Sequence, residues 1–446
     1  MEPARRLRRA LVVTYYFPPA GGPAVQRVLK TVKYLRGYGY EPTVLTVADG
    51  AYPQRDPTLA ADVPEGVVVH RTRSFDPFGV YARLTGKPKA EAVPVGSIGG
   101  GSRAERLARW GRANVFLPDA RVGWVPFAVR EAFRLHRERP FDVVLTSGPP
   151  HSAHLVGRAL KRRRGLPWVA DFRDPWTGIN YYEELPMTEA ARRLDRRLER
   201  SVLREADRVV TVSPTWADGL ATLAGRPRSE IVVVHNGFDE EDFEGVPRGP
   251  EAVARDRFVL AYVGSMYATR NPTTLWAALA ALRDAGEVEE LRLRLVGGIG
   301  EDVRAALAAA RLDAVTEFVP YVPHDEAVRA MTQAALLLLV VDPCRTERGI
   351  LTGKLYEYLA SGRPVLALGP PDGDAARLLE ETGGGRLFGR GDVEGMAAFV
   401  REHYAAWAAG RPREGASAEA VAPYSRRAET GQIAAVLDAA ATGRTS

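Results

Sequence analysis

The sequence predicts an α/β protein built from two doubly wound, Rossmann-like domains that face a central cleft. Predicted strands and helices alternate along almost all of the 446 residues, stop at a polar stretch, 239–256, and then begin again. Charge also divides the chain, because residues 1–210 contain 36 lysines and arginines against 22 acidic residues, whereas residues 211–446 contain 25 against 33. A basic half joined to an acidic half indicates separate domains. We therefore expect a first domain at 1–238, a linker at 239–256 and a second domain at 257–422.

Short aliphatic runs predict the strands of the first domain, and periodic or well-capped segments predict its helices. Strands are expected at 10–14, 43–47, 67–70, 142–146, 168–171, 208–212 and 231–235. Apolar residues recur with a helical period over 24–37, and Ser213-Pro214 is a good N-cap and first-turn pair for another helix. Further helices are expected at 152–161 and 188–205. The glycine-rich segment 96–102 is predicted to form a mobile loop.

The second domain repeats this alternation. Strands are expected at 258–264, 292–296, 316–319, 335–341 and 365–368, with helices between them. The first of these helices is expected to begin at Asn271-Pro272, and a short later helix ends at Ser361-Gly362.

Composition excludes several classes of protein. No run approaches the roughly 20 apolar residues of a membrane-spanning helix. The single cysteine, Cys344, cannot form an intrachain disulfide, which fits a cytoplasmic location. The segment 10–17 follows several arginines and faintly resembles a signal peptide, but Pro18-Pro19 stands where a small-residue cleavage site would be, so a first strand is predicted.

The most informative segment is the loop and short helix that contain Lys354 and Glu357. These residues are three apart, so they share one face of the helix. The helix N-terminus offers unpaired N–H groups and a partial positive charge, to which Lys354 adds a full charge. Glu357, one turn deeper, can accept hydrogen bonds from two ribose hydroxyls. A phosphate site beside a ribose site indicates that this segment binds a nucleotide. The alternative is that Lys354 and Glu357 form an ordinary solvated pair on a surface helix.

A second cation is predicted at the first βα turn of the second domain. Arg270 precedes the helix that begins at Asn271-Pro272, so a guanidinium and backbone amides would meet there. Arg270 and Lys354 would then flank one diphosphate; a solvated loop arginine is the alternative. The glycines of 297–300 superficially suggest an NAD-binding turn, but they follow an internal strand of the domain, which disfavours NAD.

Gly21 and Gly22 lie in the first βα turn of the first domain. Two adjacent glycines let the backbone approach a ligand closely. Ligands of doubly wound sheets lie beyond the carboxyl ends of the strands, so these glycines would face the cleft. A plain loop is the alternative, and the G-x-G-x-x-G fingerprint is absent here.

Polar residues after two strands of the first domain are candidates for binding or catalysis. His151 opens a helix and could carry a proton or contact an acceptor; a helix residue without chemistry is the alternative. Asp171, Arg173 and Asp174 follow the strand 168–171, where they could bind sugar hydroxyls or, for Asp171, act as a base. A structural Arg–Asp pair is the alternative.

No metal is expected. The seven histidines form no cluster along the chain. Asp372-Gly373-Asp374 imitates a metal-binding D-x-D pattern, but it follows two prolines and is better explained as a turn.

The predicted helix 188–205 is rich in arginine. Its arginines include Arg192, Arg193, Arg196, Arg197 and Arg200. Tyr181, Tyr182 and Leu185 precede it, and aromatic residues beside a basic helix are typical of an anionic membrane surface. A solvated helix face is the alternative. Dispersed basic residues and the lack of a recognised DNA or RNA module argue against a nucleic-acid partner.

Taken in order, these motifs resemble the family 4 (group 1) glycosyltransferases of the GT-B fold. The resemblance covers nearly the whole chain. It rests on residues 17–22, 171–176, 212–213, 235–239, Gly264 with Arg270, and 353–364.

The resemblance implies transfer of a sugar, with retention, from a nucleoside-diphosphate donor to a hydroxyl acceptor. The acceptor would be a carbohydrate, a lipid-linked intermediate or a small molecule, in the synthesis of cell-envelope polysaccharide or glycoconjugate. The nucleotide sugar is a co-substrate, and no other cofactor and no metal is implied. A cytoplasmic location, including the inner face of the membrane, is expected.

The resemblance also assigns residues. Arg270 and Lys354 would hold the diphosphate and stabilise its charge, Glu357 the ribose, and the base would lie near Tyr321 and Val322. The full set implied in donor binding is Gly21, Gly22, Gly264, Arg270, Tyr321, Val322, Gly349, Leu351, Thr352, Lys354 and Glu357. The acceptor-side candidates are those taken above from the residues themselves, His151, Asp171, Arg173 and Asp174, and the first two are also catalytic candidates. The segment 423–446 would be a terminal helix that crosses back to the first domain.

One position departs from the family pattern of two glutamates eight positions apart. Glu357 matches the second, whereas position 349 is glycine and Glu347 is two residues out of register. Backbone amides of 349–352 are expected to replace the first glutamate. A nucleotide-sugar-binding protein without transfer activity, a sugar-nucleotide epimerase of the same fold and an NAD oxidoreductase are the alternatives.

Overall fold

A computed structural model describes most of the chain. The described residues are 6–50, 52, 55–75, 103–179 and 181–443. The loop predicted at 96–102 lies outside them. Two compact units are present: the first comprises Met1–His235 and Glu429–Ser446, and the second comprises Asn236–Ala428.

The described residues of the first unit form a seven-stranded sheet in which all neighbouring strands are parallel. The strands are β1 (Arg8–Val13), β2 (Tyr40–Val47), β3 (Val68–Thr72), β4 (Val143–Gly148), β5 (Trp168–Phe172), β6 (Arg208–Thr211) and β7 (Ile231–Val233). Their order across the sheet is β3-β2-β1-β4-β5-β6-β7. The order reverses between β1 and β4, which makes this position the switch point where doubly wound folds bind ligands.

Six helices are described in the first unit before its terminal segment. They are α1 (Pro23–Leu35), α2 (Arg103–Val115), α3 (Val125–Glu138), α4 (Ser152–Arg164), α5 (Glu189–Glu205) and α6 (Pro214–Ala224). The predicted cap of α6 is confirmed, because the Ser213 side chain accepts a hydrogen bond from the Trp216 amide. The sequence analysis did not predict α2 or α3.

Apolar side chains cover both faces of this sheet. Ala10 and Val12 of β1 pack on the face that α1 and residues 433–440 cover, whereas Leu11 and Val13 pack on the face that α3, α4 and α6 cover. Burial of alternate residues on both faces explains why β1 has a continuous aliphatic sequence instead of an alternating one.

The second unit contains a six-stranded parallel sheet. Its strands are β8 (Phe258–Val263), β9 (Leu291–Val296), β10 (Thr316–Val319), β11 (Leu336–Val340), β12 (Val365–Leu368) and β13 (Gly385–Phe388). Their order is β10-β9-β8-β11-β12-β13, so the switch point lies between β8 and β11. The prediction of two doubly wound α/β sheets is therefore confirmed, although β13 was not predicted.

The remaining helices belong to the second unit or connect it to the first. They are α7 (Thr273–Asp284), α8 (Glu301–Ala309), α9 (His324–Thr332), α10 (Gly353–Ala360), α11 (Asp374–Thr382), α12 (Val393–Ala408), α13 (Ala418–Val421) and α14 (Arg426–Thr442). From Glu429 onward α14 belongs to the first unit, where Glu429 pairs with Arg27 at 2.9 Å and Asp438 pairs with Arg8 at 2.5 Å. No helix among the described residues combines the length and the apolar character needed to cross a membrane.

Two carboxyl groups of α5 are buried beneath the loop that follows β5. Asp195 accepts hydrogen bonds from Trp176 Nε1 and Tyr182 Oη, both at 2.9 Å. Glu199 accepts one from Thr177 Oγ1 at 2.6 Å. Burial raises the pKa of Asp195 to about 6 and the pKa of Glu199 to about 7, and these hydrogen bonds oppose the rise. In the folded protein both groups therefore keep their protons to a higher pH than they do in the unfolded chain.

We expect Glu199→Gln to stabilise the protein at pH 8. Because the folded pKa of Glu199 lies above its ordinary value of 4.5, the stability that its proton supplies is full below about pH 4.5 and is lost as the pH rises through about 7. Glutamine keeps an acceptor for Thr177 and removes the buried charge. The free energy of unfolding should exceed the wild-type value by about 1–3 kcal/mol at pH 8 and by much less at pH 5.

Denaturant titrations at the two pH values measure this difference. Glu189→Gln, at an exposed position of the same helix, is the control and should change little at either pH. A gain for Glu199→Gln that is the same at pH 5 and pH 8 would contradict the assigned pKa.

Candidate functional site

The switch point of the second sheet holds both cations that the sequence analysis identified. Arg270 ends a 3₁₀ turn, Ala268–Arg270, in the connection after β8. Lys354 is the second residue of α10, which begins after the loop that follows β11. The carboxyl ends of the two central strands therefore bring together residues 84 positions apart in the chain.

The hydroxyl of Tyr262, on β8, lies between the two cations. Lys354 Nζ donates a hydrogen bond to Tyr262 Oη at 2.9 Å, and the positive charge of Arg270 acts on the same hydroxyl. The hydroxyl itself donates to Ser265 O at 2.7 Å. The tyrosine therefore fixes the position of Lys354 beside Arg270. The sequence analysis missed Tyr262, whose polar tip at the end of an apolar strand was the available signal.

The electrostatics of this cluster favour an anion. Burial lowers the pKa of Lys354 to about 8, and the charge of Arg270 acts in the same direction, whereas Glu357 and Asp342 oppose it. The charged form of Lys354 is therefore less stable beside Arg270 than it would be on an exposed surface. A bound anion that contacts both would relieve that repulsion.

Asp342 is a second residue that the sequence analysis missed. It lies just beyond the end of β11, and its Oδ2 accepts a hydrogen bond from Arg270 Nε at 2.8 Å and a further one from Arg270 Nη2. Thr269 Oγ1 donates to the other carboxylate oxygen at 3.2 Å. This pairing raises the pKa of Arg270 and fixes the direction of its guanidinium group. An acidic residue directly after a buried central strand is the signal that could have found it.

Gly264 allows Lys354 to reach this position. Its φ is +126°, a conformation that residues with a Cβ rarely adopt. A Cβ built at Gly264 would lie 2.3 Å from Lys354 Nζ. The glycine is therefore required both by the backbone conformation and by the close approach of the lysine side chain.

The glycines after β9 pack against the same turn. Gly297 has a φ of +117°, and a Cβ there would lie 2.6 Å from Gly264 O. The Met266 amide donates to Gly298 O at 2.9 Å, and the Gly300 amide donates to Met266 O at 2.9 Å. These glycines are thus explained by the contact between two neighbouring βα turns, without a dinucleotide.

The loop before α10 contributes buried polar groups. Thr352 occupies the N-cap position of α10 without making a cap hydrogen bond, and its Oγ1 is buried with no hydrogen-bond partner in the described structure. The amides of Gly349 and Ile350 donate to carbonyl groups within the preceding turn, at 3.2 and 3.0 Å. Of the amides expected to replace the absent glutamate, those of Leu351 and Thr352 are therefore the better candidates.

Glu347 does not substitute for the glutamate that is absent at position 349. Its carboxylate pairs with Arg390 at 2.7 Å, and the same guanidinium donates to Val341 O at 2.9 Å. Glu347 therefore holds the end of β11 and the loop before α10 to the segment after β13.

Glu357 and Tyr321, which are predicted to contact a ribose and a base, lie on α10 and just after β10. Glu357 is partly buried on α10, and burial raises its pKa, which His324 and Arg426 oppose. Tyr321 follows β10 and exposes 76% of its surface, with Val322 beside it. An exposed aromatic ring at the carboxyl edge of the sheet is suited to stacking on a planar ligand.

The two aspartates of the D-x-D pattern are paired with arginines. Asp372 pairs with Arg348 at 2.5 Å, and Asp374 pairs with Arg377 at 2.9 Å. No group of three or more histidine, cysteine, aspartate or glutamate residues in the described ranges is arranged to hold a metal ion.

In the first unit, both carboxylate oxygens of Asp171 are engaged. Arg27 Nη2 donates to Oδ1 at 3.0 Å and Arg27 Nε donates to Oδ2 at 3.1 Å, while Ser147 Oγ donates to Oδ2 at 2.8 Å. Arg27 also pairs with Glu429 at 2.9 Å and donates to His235 O at 2.8 Å. This buried network joins β5, α1 and α14, an arrangement that fits a positioning role for Asp171.

Arg173 and His151 are both buried at the carboxyl edge of the first sheet. Arg173 Nε donates to Gly148 O at 3.2 Å, and its two other nitrogens donate to Ala24 O and Pro149 O. His151 stacks on Trp176 with ring centres 5.1 Å apart. Burial, with His154 and Arg173, holds the pKa of His151 well below its ordinary value, so the imidazole is neutral.

The remaining first-unit candidates lie in two neighbouring loops. Gly22 has a φ of +87° and directly precedes α1, and a Cβ at Gly21 would lie 2.8 Å from Asp56 Cβ. The turn therefore requires glycine at Gly22 for its conformation and at Gly21 for packing. Burial raises the pKa of Asp174, and the neighbouring Arg173 opposes this rise.

Asp119 and Arg121, which the sequence analysis missed, also lie at this edge. Asp119 accepts hydrogen bonds from the Ser152 amide at 2.9 Å and from Ser152 Oγ at 2.7 Å, so it caps α4. Arg121 lies with its guanidinium carbon 5.3 Å from the centre of the Tyr15 ring. Burial lowers the pKa of the nearby Arg112, and Arg121 acts in the same direction, so two cations approach each other here.

Comparison with protein families identifies the chain. The glycosyl transferase 4-like domain model matches residues 21–237, and the glycosyl transferases group 1 model matches residues 257–405. The chain therefore belongs to the family 4 (group 1) glycosyltransferases, and the resemblance predicted from its motifs is confirmed.

Individual relatives agree with this assignment. D-inositol 3-phosphate glycosyltransferase 1 of Catenulispora acidiphila is 31% identical over 227 residues, which are 48% of this chain and 52% of that protein. The chain thus spans about half the length of this curated relative.

Solved structures show the same fold. Anabaena Alr3699/HepE in complex with UDP has a TM-score of 0.61 at 15% identity over 97% of this chain and 100% of that one. WaaG, a glycosyltransferase involved in lipopolysaccharide biosynthesis, has a TM-score of 0.53 at 15% identity over 96% and 99%. At these identities the likeness establishes the fold, which is the two-domain GT-B fold.

Gly264→Ala should destabilise the protein by about 1–3 kcal/mol, because alanine strains the positive φ and its Cβ collides with Lys354. Gly298→Ala is the matched control: the nearest atoms to a Cβ there are 3.4 Å away, and it should cost less than about 1 kcal/mol. Urea denaturation measures both free energies of unfolding. Equal values for the two variants would contradict the close approach assigned to Gly264.

Proposed function

We propose that this protein is a retaining glycosyltransferase that moves a sugar from a nucleoside-diphosphate donor to a hydroxyl acceptor. The observation that carries this proposal is that Arg270, held by Asp342, and Lys354, held by Tyr262, lie close together at the switch point of the second sheet. The N-terminus of α10 begins at the same place and adds backbone N–H groups. The solved structure of Anabaena Alr3699/HepE contains UDP, which supports a donor of this class.

The chemistry follows from the charge that develops. As the bond between the anomeric carbon and the phosphate oxygen breaks, the electron pair remains on the diphosphate. Arg270 and Lys354 would stabilise that negative charge without a metal ion, because they are held in place before the reaction begins. The acceptor oxygen forms the new bond to the anomeric carbon, and its proton passes to the leaving phosphate. No first-unit carboxylate needs to act as a base in this scheme.

The other donor contacts are proposed from their positions. Glu357 would accept hydrogen bonds from the ribose, Tyr321 and Val322 would lie against the base, and the amides of Leu351 and Thr352 would contact the sugar or the phosphates. Gly349 remains a predicted donor contact at the position where the family has a glutamate. Gly21 and Gly22 remain predicted donor contacts on the strength of the family resemblance.

We assign acceptor binding to the first unit. Asp171 and Arg173 would act as positioning residues, because their polar atoms are occupied by protein groups. His151 and Asp174 would face the acceptor. The nearby pair of cations, Arg112 and Arg121, suits an acceptor that carries a phosphate or another anion. The Catenulispora acidiphila relative is named for D-inositol 3-phosphate, an acceptor of that chemical kind.

The biological setting that we propose is the cytoplasmic synthesis of cell-envelope polysaccharide or glycoconjugate. The role of WaaG in lipopolysaccharide biosynthesis, on the same fold, supports this setting. The donor sugar, the base and the acceptor are to be found by screening nucleotide sugars for binding and then screening acceptors for turnover.

Arg270→Ala and Lys354→Ala should each lower kcat/KM for the donor by about 10²–10³, because each removes a group that stabilises the leaving diphosphate. Donor turnover measured by release of the nucleoside diphosphate gives this value. Arg329→Ala is the control, since Arg329 is an exposed arginine of the same unit that pairs with Asp325 at 3.2 Å. Wild-type kinetics in both site variants would refute the assignment, and donor binding without turnover with any acceptor would favour the non-catalytic alternative.

Nucleoside-diphosphate binding should weaken above about pH 8 through Lys354. A lysine with a pKa of about 8 is charged below that pH and neutral above it, so affinity should be constant between pH 7 and 7.5 and fall by up to about tenfold per pH unit beyond 8. Arginine remains charged throughout this range, so Lys354→Arg should remove the dependence. Isothermal titration calorimetry across pH 7–10 measures both, and identical profiles for the two proteins would contradict the role of Lys354.

A further inference from the structure

A groove on the first unit is lined almost entirely by arginine. It lies along α5 and beside the end of α4, and its volume is about 760 Å³. Its arginines are Arg162, Arg193, Arg196, Arg197, Arg200 and Arg204. We call this surface the arginine groove. It shares no residue with the proposed donor or acceptor sites.

The spacing of residues on α5 produces this surface. Arg193, Arg197, Arg200 and Arg204 are separated by four, three and four positions, so they follow one face of the helix. The opposite face is buried in the unit and includes Val202. The arginine face is therefore held outward by the packing of the other side of the helix.

Much of the charge in the groove is not neutralised by the protein. Arg162 pairs with Glu205 at 2.6 Å, and Arg193 pairs with Glu189 at 3.2 Å. Within the described part of the chain, no carboxylate forms an ion pair with Arg196, Arg197 or Arg200. Exposed like charges this close together repel one another, and an external anion would reduce that repulsion.

One exposed apolar side chain lies on the same helix as the groove, and a second lies on α2, which contacts the start of that helix. Leu194, on α5, exposes 50% of its surface and lies on the helix beside Arg197 and Ser201. Trp110, on α2, exposes 47%. The two helices are joined nearby, because the Thr188 amide at the start of α5 donates to Asn114 Oδ1 at 2.6 Å, and Asn114 is one turn after Trp110.

We propose that the arginine groove docks this protein on an anionic lipid bilayer, with its guanidinium groups on lipid phosphates. Guanidinium groups bind phosphate oxygens in pairs, and each cation near an anionic membrane adds to the affinity. Leu194 and Trp110 would enter the boundary between headgroups and acyl chains, where aliphatic and aromatic side chains are favoured. A nucleic acid would use the same arginines but would gain nothing from an exposed leucine.

Flotation with lipid vesicles tests this proposal on the full-length chain. Wild-type protein should bind vesicles of 70% phosphatidylcholine and 30% phosphatidylglycerol, should not bind pure phosphatidylcholine vesicles, and should dissociate as the salt concentration rises. The charge-reversal variant Arg197→Glu/Arg200→Glu should bind at least about tenfold more weakly. The control, Arg130→Glu/Arg137→Glu, changes the net charge equally at exposed positions of α3 and should bind within about twofold of wild type.

Leu194→Ser distinguishes a lipid bilayer from a nucleic acid as the partner of the arginine groove. It should weaken vesicle binding several-fold while leaving retention on an RNA column unchanged. Circular dichroism and thermal unfolding check that each variant is folded. Absence of wild-type binding to the anionic vesicles, equal losses in the two charge-reversal variants, or binding to RNA without binding to vesicles would each overturn the proposal.

Discussion

The candidate donor site depends on the hydrogen bond between Lys354 and Tyr262, which holds this lysine beside Arg270 at the end of a buried strand. Tyr262 Oη accepts a hydrogen bond from Lys354 Nζ and donates its own proton to Ser265 O. Asp342 holds the guanidinium of Arg270, so the directions of both cations are set by protein groups. Asp342 balances only one of them, and the other, Lys354, holds its proton less firmly than an exposed lysine does. The energetic cost of that arrangement is what a bound diphosphate would recover.

The first unit shows a different use of buried charge. Arg27 is fully buried and pairs with two carboxylates, Asp171 at 3.0 Å and Glu429 at 2.9 Å. Removing any one partner would leave an uncompensated charge in the interior, which is costly. The network therefore ties the end of β5 to α1 and to the terminal helix. It occupies the polar atoms of Asp171, so this carboxylate holds the structure around the candidate acceptor residues in place.

Much of the architecture was predictable because buried parallel strands are short aliphatic runs. Twelve of the thirteen strands were predicted from the sequence, and the glycine turns after β1 and β8 mark the two switch points. The missed helix α3 buries Ala128, Ala132 and Leu135, a face made largely of alanine that adds little to a hydrophobic pattern. The missed strand β13 contains Gly385 and Arg386, and its register is set by pairing with β12. Such elements are fixed by tertiary contacts and not by local sequence.

Part of the candidate donor site was also predictable from the sequence. Lys354 and Arg270 could be found because each stands at a helix N-terminus or a βα turn. Tyr262 and Asp342 could not be assigned a role from sequence, because they act through partners that are distant in the chain. Tyr262 pairs with Lys354, 92 positions away, and Asp342 pairs with Arg270, 72 positions away. Asp171 shows the opposite problem. Its position after a strand predicted a role in binding or catalysis, but its carboxylate is occupied by Arg27, which lies on a helix distant in sequence.

A crystal structure of the protein with a bound nucleoside diphosphate would test this account most directly. We expect the diphosphate at the N-terminus of α10, with one phosphate oxygen within about 3 Å of Lys354 Nζ and another at the same distance from the Arg270 guanidinium. A nucleotide bound with its phosphates away from both side chains would contradict the central claim.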